Sequence, residues 1–194
     1  MIIDHLQQHF LFRKIIYKLG QMRSKNMVKK IEPFLKKTDL ILNIGSGTCN
    51  LDEILLNKGY HLTSLDIQNL SFVDNIKPII YDGNQIPFNN NKFYKSLILT
   101  VLHHTPNPEK ILKEAKRVSK EIIVIEDIYT HFLHKYLTYF FDSLFNLEFV
   151  GHPHLNKTDQ QWKNTFKKLN LKLVKTSYIR SFIVFKHATY YLKK

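Results

Sequence analysis

Leu40-Ile41-Leu42-Asn43-Ile44-Gly45-Ser46-Gly47-Thr48-Cys49-Asn50-Leu51 decides the fold. A largely apolar strand runs straight into two glycines one residue apart, and helix-compatible residues follow from Leu51 to Leu56. Such a turn lets the backbone approach a ligand closely and aims the unpaired amides at the start of the next helix towards it. A second run, Tyr60-His61-Leu62-Thr63-Ser64-Leu65-Asp66-Ile67, delivers a carboxylate at Asp66, about 20 residues beyond the glycines. A carboxylate there is placed to accept hydrogen bonds from ribose hydroxyls. Together the two features imply a nucleoside cofactor. A dinucleotide is the poorer reading, because Gly-x-Gly-x-x-Gly needs a glycine where this chain has Asn50.

From residue 40 onward strands alternate with helices, which implies a mostly parallel sheet with right-handed crossovers. Strands are expected near 40–44, 61–66, 78–81, 95–99 and 121–126, with an amphipathic helix over 109–118 that turns Ile111, Leu112, Ala115 and Val118 inward. Ahead of them, residues 5–34 carry Leu6, Phe10, Ile15, Leu19, Met22, Met27, Val28 and Ile31 at helical spacing. This segment is expected to pack on the sheet's edge, with Gly20 breaking it into two helices and a basic face left in solvent. After Asp127 the alternation stops. Residues 128–150 hold eight aromatic side chains from Tyr129 to Phe149 with leucines between them, and read as a helical insertion beside the ligand-binding end of the sheet. A further helix over 160–169 and two β runs, 171–179 and 181–192, complete the pattern.

Composition sets the outer bounds. The 194 residues suffice for one domain with a substantial core. A single cysteine excludes an internal disulfide, and Asp4, His5, Gln7 and Gln8 interrupt the first apolar residues, which argues against a signal peptide. Without an apolar run of about 18 residues no membrane span is expected. A cytoplasmic setting is the default. The net charge of +13 is carried mainly by lysine in a chain rich in asparagine and isoleucine, and reads as biased coding more than as a surface made for a partner. It gives weak support to nucleic acid and leaves peripheral membrane contact open; the oligomeric state is not legible.

Residues 40–128 resemble the class I methyltransferases that use S-adenosylmethionine, and most closely the type-11 methyltransferase domain. Besides the glycine loop, the resemblance rests on Tyr81-Asp82-Gly83-Asn84-Gln85-Ile86-Pro87-Phe88 and on Ser96-Leu97-Ile98-Leu99-Thr100-Val101-Leu102-His103-His104-Thr105-Pro106-Asn107-Pro108. It implies a Rossmann-like α/β fold: a mostly parallel seven-stranded sheet, an antiparallel last strand and a helical insertion after strand 5. The expected organisation is a single domain over 1–194, with an N-terminal helical cap (1–38) and a substrate lid (128–170). The implied cofactor is S-adenosyl-L-methionine. Gly45, Ser46 and Gly47 would face its methionine part, Asp66 and Ile67 the ribose and adenine, Asp82 and Gly83 the adenine edge, and Asn43 and Thr100 would complete the cofactor set. Three residues depart from the family's pattern. Asn43 stands where a carboxylate usually holds the cofactor's ammonium, Cys49 replaces the third glycine, and Phe93-Tyr94 replaces Phe-Asp.

Methyl transfer from a sulfonium requires alignment, exclusion of water and sometimes a base. His103 and His104, just past the fourth strand, are the candidate catalytic residues, with His104 preferred as the pocket residue. Glu126, Tyr129 and His152 are candidate substrate contacts, and Asp127 a second carboxylate or a helix cap. His131, His134, His152 and His154 have spacings that zinc sites use, but no compact ligand set accompanies them and no metal is expected. The aromatic insertion suits a small hydrophobic or aromatic methyl acceptor. Two alternatives stand beside this reading: a catalytically weak or non-catalytic methyltransferase-like partner protein, motivated by Asn43, Cys49 and Tyr94, and an RNA methyltransferase, motivated by the charge. Against the latter, Thr100-Val101-Leu102-His103 lacks the Pro-Pro-aromatic motif that receives flipped bases.

Overall fold

The computed structural model describes residues 10–130, 156–181 and 185–194. The aromatic run from 131 to 150, His152 and His154 therefore lie outside the described residues, as does most of the expected lid. The seven strands follow the order β3-β2-β1-β4-β5-β7-β6; the pairs β1–β2, β2–β3 and β4–β5 are parallel, and β7, the last strand, is antiparallel to both of its neighbours, as the fold expectation required. The chain divides into two compact units, Met1–Gly83 and Asn84–Lys194.

In the first unit, β1 (Leu40–Ile44) pairs in parallel with β2 (His61–Asp66), and β2 pairs with a two-residue edge strand, β3 (Ile79–Ile80). Ile41, Leu42, Ile44 and Leu65 are buried, the near-continuous apolar run that a strand covered on both faces needs. Helix α1 (Phe10–Ile31) precedes them and α2 (Asn50–Asn57) links β1 to β2.

Helix α1 corrects two expectations. It passes through Gly20 without a break. The glycine leaves room for a neighbour: a Cβ there would fall 2.0 Å from Asn50 Nδ2 at the start of α2 and would have to displace that amide. Nor does the apolar series all turn inward. Ile15, Leu19 and Met22 are 56%, 61% and 63% exposed, while Ser24, Met27, Val28 and Ile31 are buried. Tyr17 and Gln21 tie the helix to α2 by donating to Glu53.

In the second unit, β5 (Ser119–Ile128) lies between parallel β4 (Phe93–Leu99) and antiparallel β7 (Phe185–Lys193), and β6 (Lys172–Ser181) pairs with β7. Helix α3 (Pro108–Val118) starts on Asn107, whose side chain accepts from Lys110 N at 3.0 Å, with Pro108 in the first turn where its missing N–H is harmless. Its Ile111, Leu112, Ala115 and Val118 are buried as the periodicity predicts. Helix α4 (Asp159–Lys168) opens on a capping box between Thr158 and Gln161 and buries Trp162 and Phe166. Among the described residues no helix is long and apolar enough to cross a membrane.

Candidate functional site

The loop after β1 turns on two left-handed glycines, Gly45 (φ 76°) and Gly47 (φ 53°). Gly45 N and Ser46 N donate to Leu65 O at 2.8 and 3.1 Å, which docks the loop on the end of β2. Asp66 completes the closure. Its Oδ2 accepts from Gly47 N and its Oδ1 from Ile67 N, both at 2.7 Å. The carboxylate that was read as a ribose acceptor thus also holds the glycine turn in place, and each oxygen keeps a second lone pair for a ligand hydroxyl. Beside it Ile67 is 60% exposed, an apolar side chain at the lip of a polar loop. A Cβ at Gly83 (φ 73°) would stand 3.4 Å from Ile67 Cγ2, so these two residues adjoin as an adenine contact would require; Asp82 is exposed next to them.

Cys49 is buried and takes φ 57°, the conformation a glycine would adopt freely. Burial, followed by the charge of Asp52, pushes its thiol up, away from the reactive thiolate.

Beside the loop lies a buried polar group that joins Asn43, already a cofactor candidate, to Asp52, which sequence reading did not single out. Asn43 sits opposite Ser64 in the β1–β2 register, and its Nδ2 donates to Asp52 Oδ1 at 2.5 Å. Asp52 is fully buried in the first turn of α2. Burial pushes its carboxyl up to about 6, against hydrogen bonds from Ser64, Asn43 and Cys49, while the Asp66 charge adds to the rise. Asn43 Oδ1 is buried and meets no hydrogen-bond partner among the described residues. Space at Gly47, where nothing lies within 4 Å of a would-be Cβ, and the unclaimed amide oxygen of Asn43 fit a nucleoside that carries a cationic aminoacyl arm.

In the second unit the end of β4 is organised by Glu126. Its Oε1 accepts from Val101 N (3.1 Å) and Leu102 N (2.8 Å), and its Oε2 meets His103 Nδ1 at 2.6 Å. Glu126 and His103 are both fully buried. The carboxylate read as a substrate contact is therefore engaged in folding the β4 loop. His104, half-buried, stacks obliquely on His103 with ring centroids 4.0 Å apart. Thr100 carries φ 57° just after β4. A β-branched residue in that region is a backbone outlier, and such outliers cluster at ligand sites. Tyr129 follows β5 half-buried. Asp127 caps no helix; it lies within β5 and pairs with His187 Nδ1 on β7 at 2.8 Å. That histidine was invisible to the sequence reading because sixty residues separate the partners and only strand pairing joins them. Among the described residues no cluster of three metal-ligating side chains occurs.

Residues 42–122 match the family model described as a methyltransferase domain. An uncharacterized protein of Methanocaldococcus jannaschii is 49% identical over 45 residues, 23% of this chain and 22% of that protein, so the match spans under a quarter of the relative's length. A SAM-dependent methyltransferase from Methanosarcina mazei superposes with a TM-score of 0.64 at 17% identity, covering 84% of this chain and 96% of that one. Magnesium protoporphyrin IX methyltransferase from Synechocystis PCC 6803, solved with bound SAH, gives a TM-score of 0.65 at 12% identity over 98% and 92% of the two chains. At those identities the likeness to solved structures establishes the fold.

Proposed function

We propose that this chain, whose residues 42–122 carry the methyltransferase domain of the family they match, transfers a methyl group from S-adenosyl-L-methionine to a small hydrophobic or aromatic acceptor. The observation that carries the reading is the Gly47 N–Asp66 Oδ2 hydrogen bond, which joins the glycine turn and the β2 carboxylate into one preformed element. Gly45, Ser46 and Gly47 would receive the methionine part, Asp66 the ribose hydroxyls, and Ile67 with Gly83 and Asp82 the adenine. S-adenosyl-L-methionine supplies an activated methyl when bound; the protein aligns it and excludes water. Thr100 joins the cofactor residues on this reading. His104 is the member of the histidine pair proposed to handle the acceptor's proton, with His103 holding its ring in place. The aromatic composition of residues 129–149 supports an apolar acceptor.

Calorimetric titration with S-adenosylhomocysteine tests the proposal. The wild-type chain binds, and Asp66→Ala loses at least about tenfold in affinity, the scale of a charge-assisted hydrogen bond. Equal affinities would overturn the reading.

A further inference from the structure

Asp52, the buried partner of Asn43, has no role in the proposed function. We propose that Asp52 is the counter-charge for the cationic aminoacyl end of the methyl donor, acting through Asn43, whose Oδ1 is the atom that accepts from the ammonium. The inference rests on the methyl-donor reading above and names a residue that the reading leaves out. Position 43, at the end of β1, holds an amide with no charge of its own. Its Nδ2 donates to the fully buried Asp52, while its Oδ1 meets no partner. An amide that donates to a carboxylate is polarised, and its oxygen becomes a stronger acceptor. The negative charge thus sits on the helix rather than the strand and reaches the loop through the Asn43 amide.

A purely structural pair would be expected to have its remaining oxygens satisfied, since an unpartnered buried oxygen is costly. Here Asn43 Oδ1 is left over beside the glycine loop. A ligand ammonium supplies the donor that this oxygen lacks. The groups that act on the Asp52 charge are Cys49 at the start of α2, Asn43 on β1, and Ser64 and Asp66 on β2. Of these only Cys49 and Asp66 can ionise, and neither brings a positive charge.

The test compares two probes by calorimetry: S-adenosylhomocysteine, which carries the ammonium, and 5′-methylthioadenosine, which lacks the aminoacyl arm. Wild type should bind the former more tightly, and Asp52→Asn should shrink that preference about tenfold while leaving 5′-methylthioadenosine unchanged. Asn43→Asp combined with Asp52→Asn should restore it. Preference intact in Asp52→Asn overturns the inference and leaves the methyl-donor reading standing, whereas a wild type that binds neither probe overturns both. Should Asp52→Asn fail to fold, the wild-type pH profile decides. With a carboxyl raised to about 6, affinity for S-adenosylhomocysteine should climb as pH rises through that value and Asp52 ionises, with 5′-methylthioadenosine flat. A flat profile for both probes overturns the role of Asp52.

Discussion

The side-chain amide of Asn50 occupies the space that a methyl group on Gly20 would need: an ideal Cβ there would lie 2.0 Å from Asn50 Nδ2. This contact presses α1 onto the first residue of α2, directly behind the glycine loop. In an exposed helix interior Gly→Ala is worth about 1 kcal/mol of stabilisation. At Gly20 the sign should reverse. Gly20→Ala is expected to destabilise by about 1–3 kcal/mol, the range for overpacking a filled site. Urea denaturation measures it, and adding Asn50→Ala to Gly20→Ala should recover most of the loss. A stabilised Gly20→Ala would show instead that Asn50 swings aside freely.

Cys49 offers a second backbone test, since it holds φ 57° with its side chain fully buried. A left-handed non-glycine residue costs about 1–2 kcal/mol, which glycine would avoid, while losing the buried thiol costs a similar amount. Cys49→Gly is therefore expected to be neutral within about 1 kcal/mol. Cys49→Val, close in volume but β-branched, should lose about 2 kcal/mol or more, because branching at Cβ makes that region a true outlier. Equal stabilities for the two variants in thermal melts would contradict the assigned conformation. Burial and the raised thiol also predict that iodoacetamide labels Cys49 slowly in the native protein and quickly in urea.

How much of this was legible beforehand follows the range of each signal. The glycine turn, the strand that ends on Asp66 and the strand alternation are written in residues a few positions apart, and the structure forms these elements. The break at Gly20 was misread because its cause, Asn50, lies thirty positions on. The inward face assigned to Ile15, Leu19 and Met22 failed for a related reason: periodicity marks an apolar stripe but not what covers it. Asp52 looks like an ordinary acid in a helix's first turn, favourable for the helix dipole and otherwise mute. Only the fold reveals that it is buried against Asn43. Glu126 was noticed, but its three backbone and imidazole partners come from the far end of β4, so its anchoring task could not be read.

Glu126 leads to a third prediction. Its carboxylate takes two backbone amides and one imidazole nitrogen in a fully buried site. Glu126→Gln preserves shape but puts an NH₂ group where one of those contacts needs an acceptor. The expected loss is about 1–3 kcal/mol, the cost of a buried group left unsatisfied. Glu126→Ala strands three partners and should lose more. Amide hydrogen exchange localises the effect: Val101 and Leu102 should lose protection first, ahead of the strand interior of β4. Uniform loss across β4 and β5 would mean that Glu126 does not fold the loop locally.

Lys95 and Glu121 supply the last prediction. They face each other in the β4–β5 register with Nζ and Oε2 2.5 Å apart, both side chains buried, and Lys193 adds a second contact to Glu121 at 3.1 Å. Burial alone would raise the Glu121 carboxyl, but Lys95, Tyr191 and Lys193 outweigh it and hold it below the usual range. A carboxyl depressed in the folded state stabilises above the unfolded value, about 4.3, and that stability is lost as pH falls through the folded value. Wild type should therefore melt at lower temperature once the pH drops below about 4, and Glu121→Gln should flatten that dependence. At neutral pH Glu121→Gln leaves the Lys95 ammonium buried without its carboxylate and should destabilise by about 3–5 kcal/mol. Replacing both partners, Lys95→Met with Glu121→Leu, should be close to neutral, because the desolvation of two charges disappears along with their attraction. Thermal melts of wild type and the two variants between pH 3 and 8, in the range about 1–5 kcal/mol that such buried pairs span, separate the outcomes. A double variant as unstable as Glu121→Gln would show that the pair contributes attraction beyond its desolvation cost.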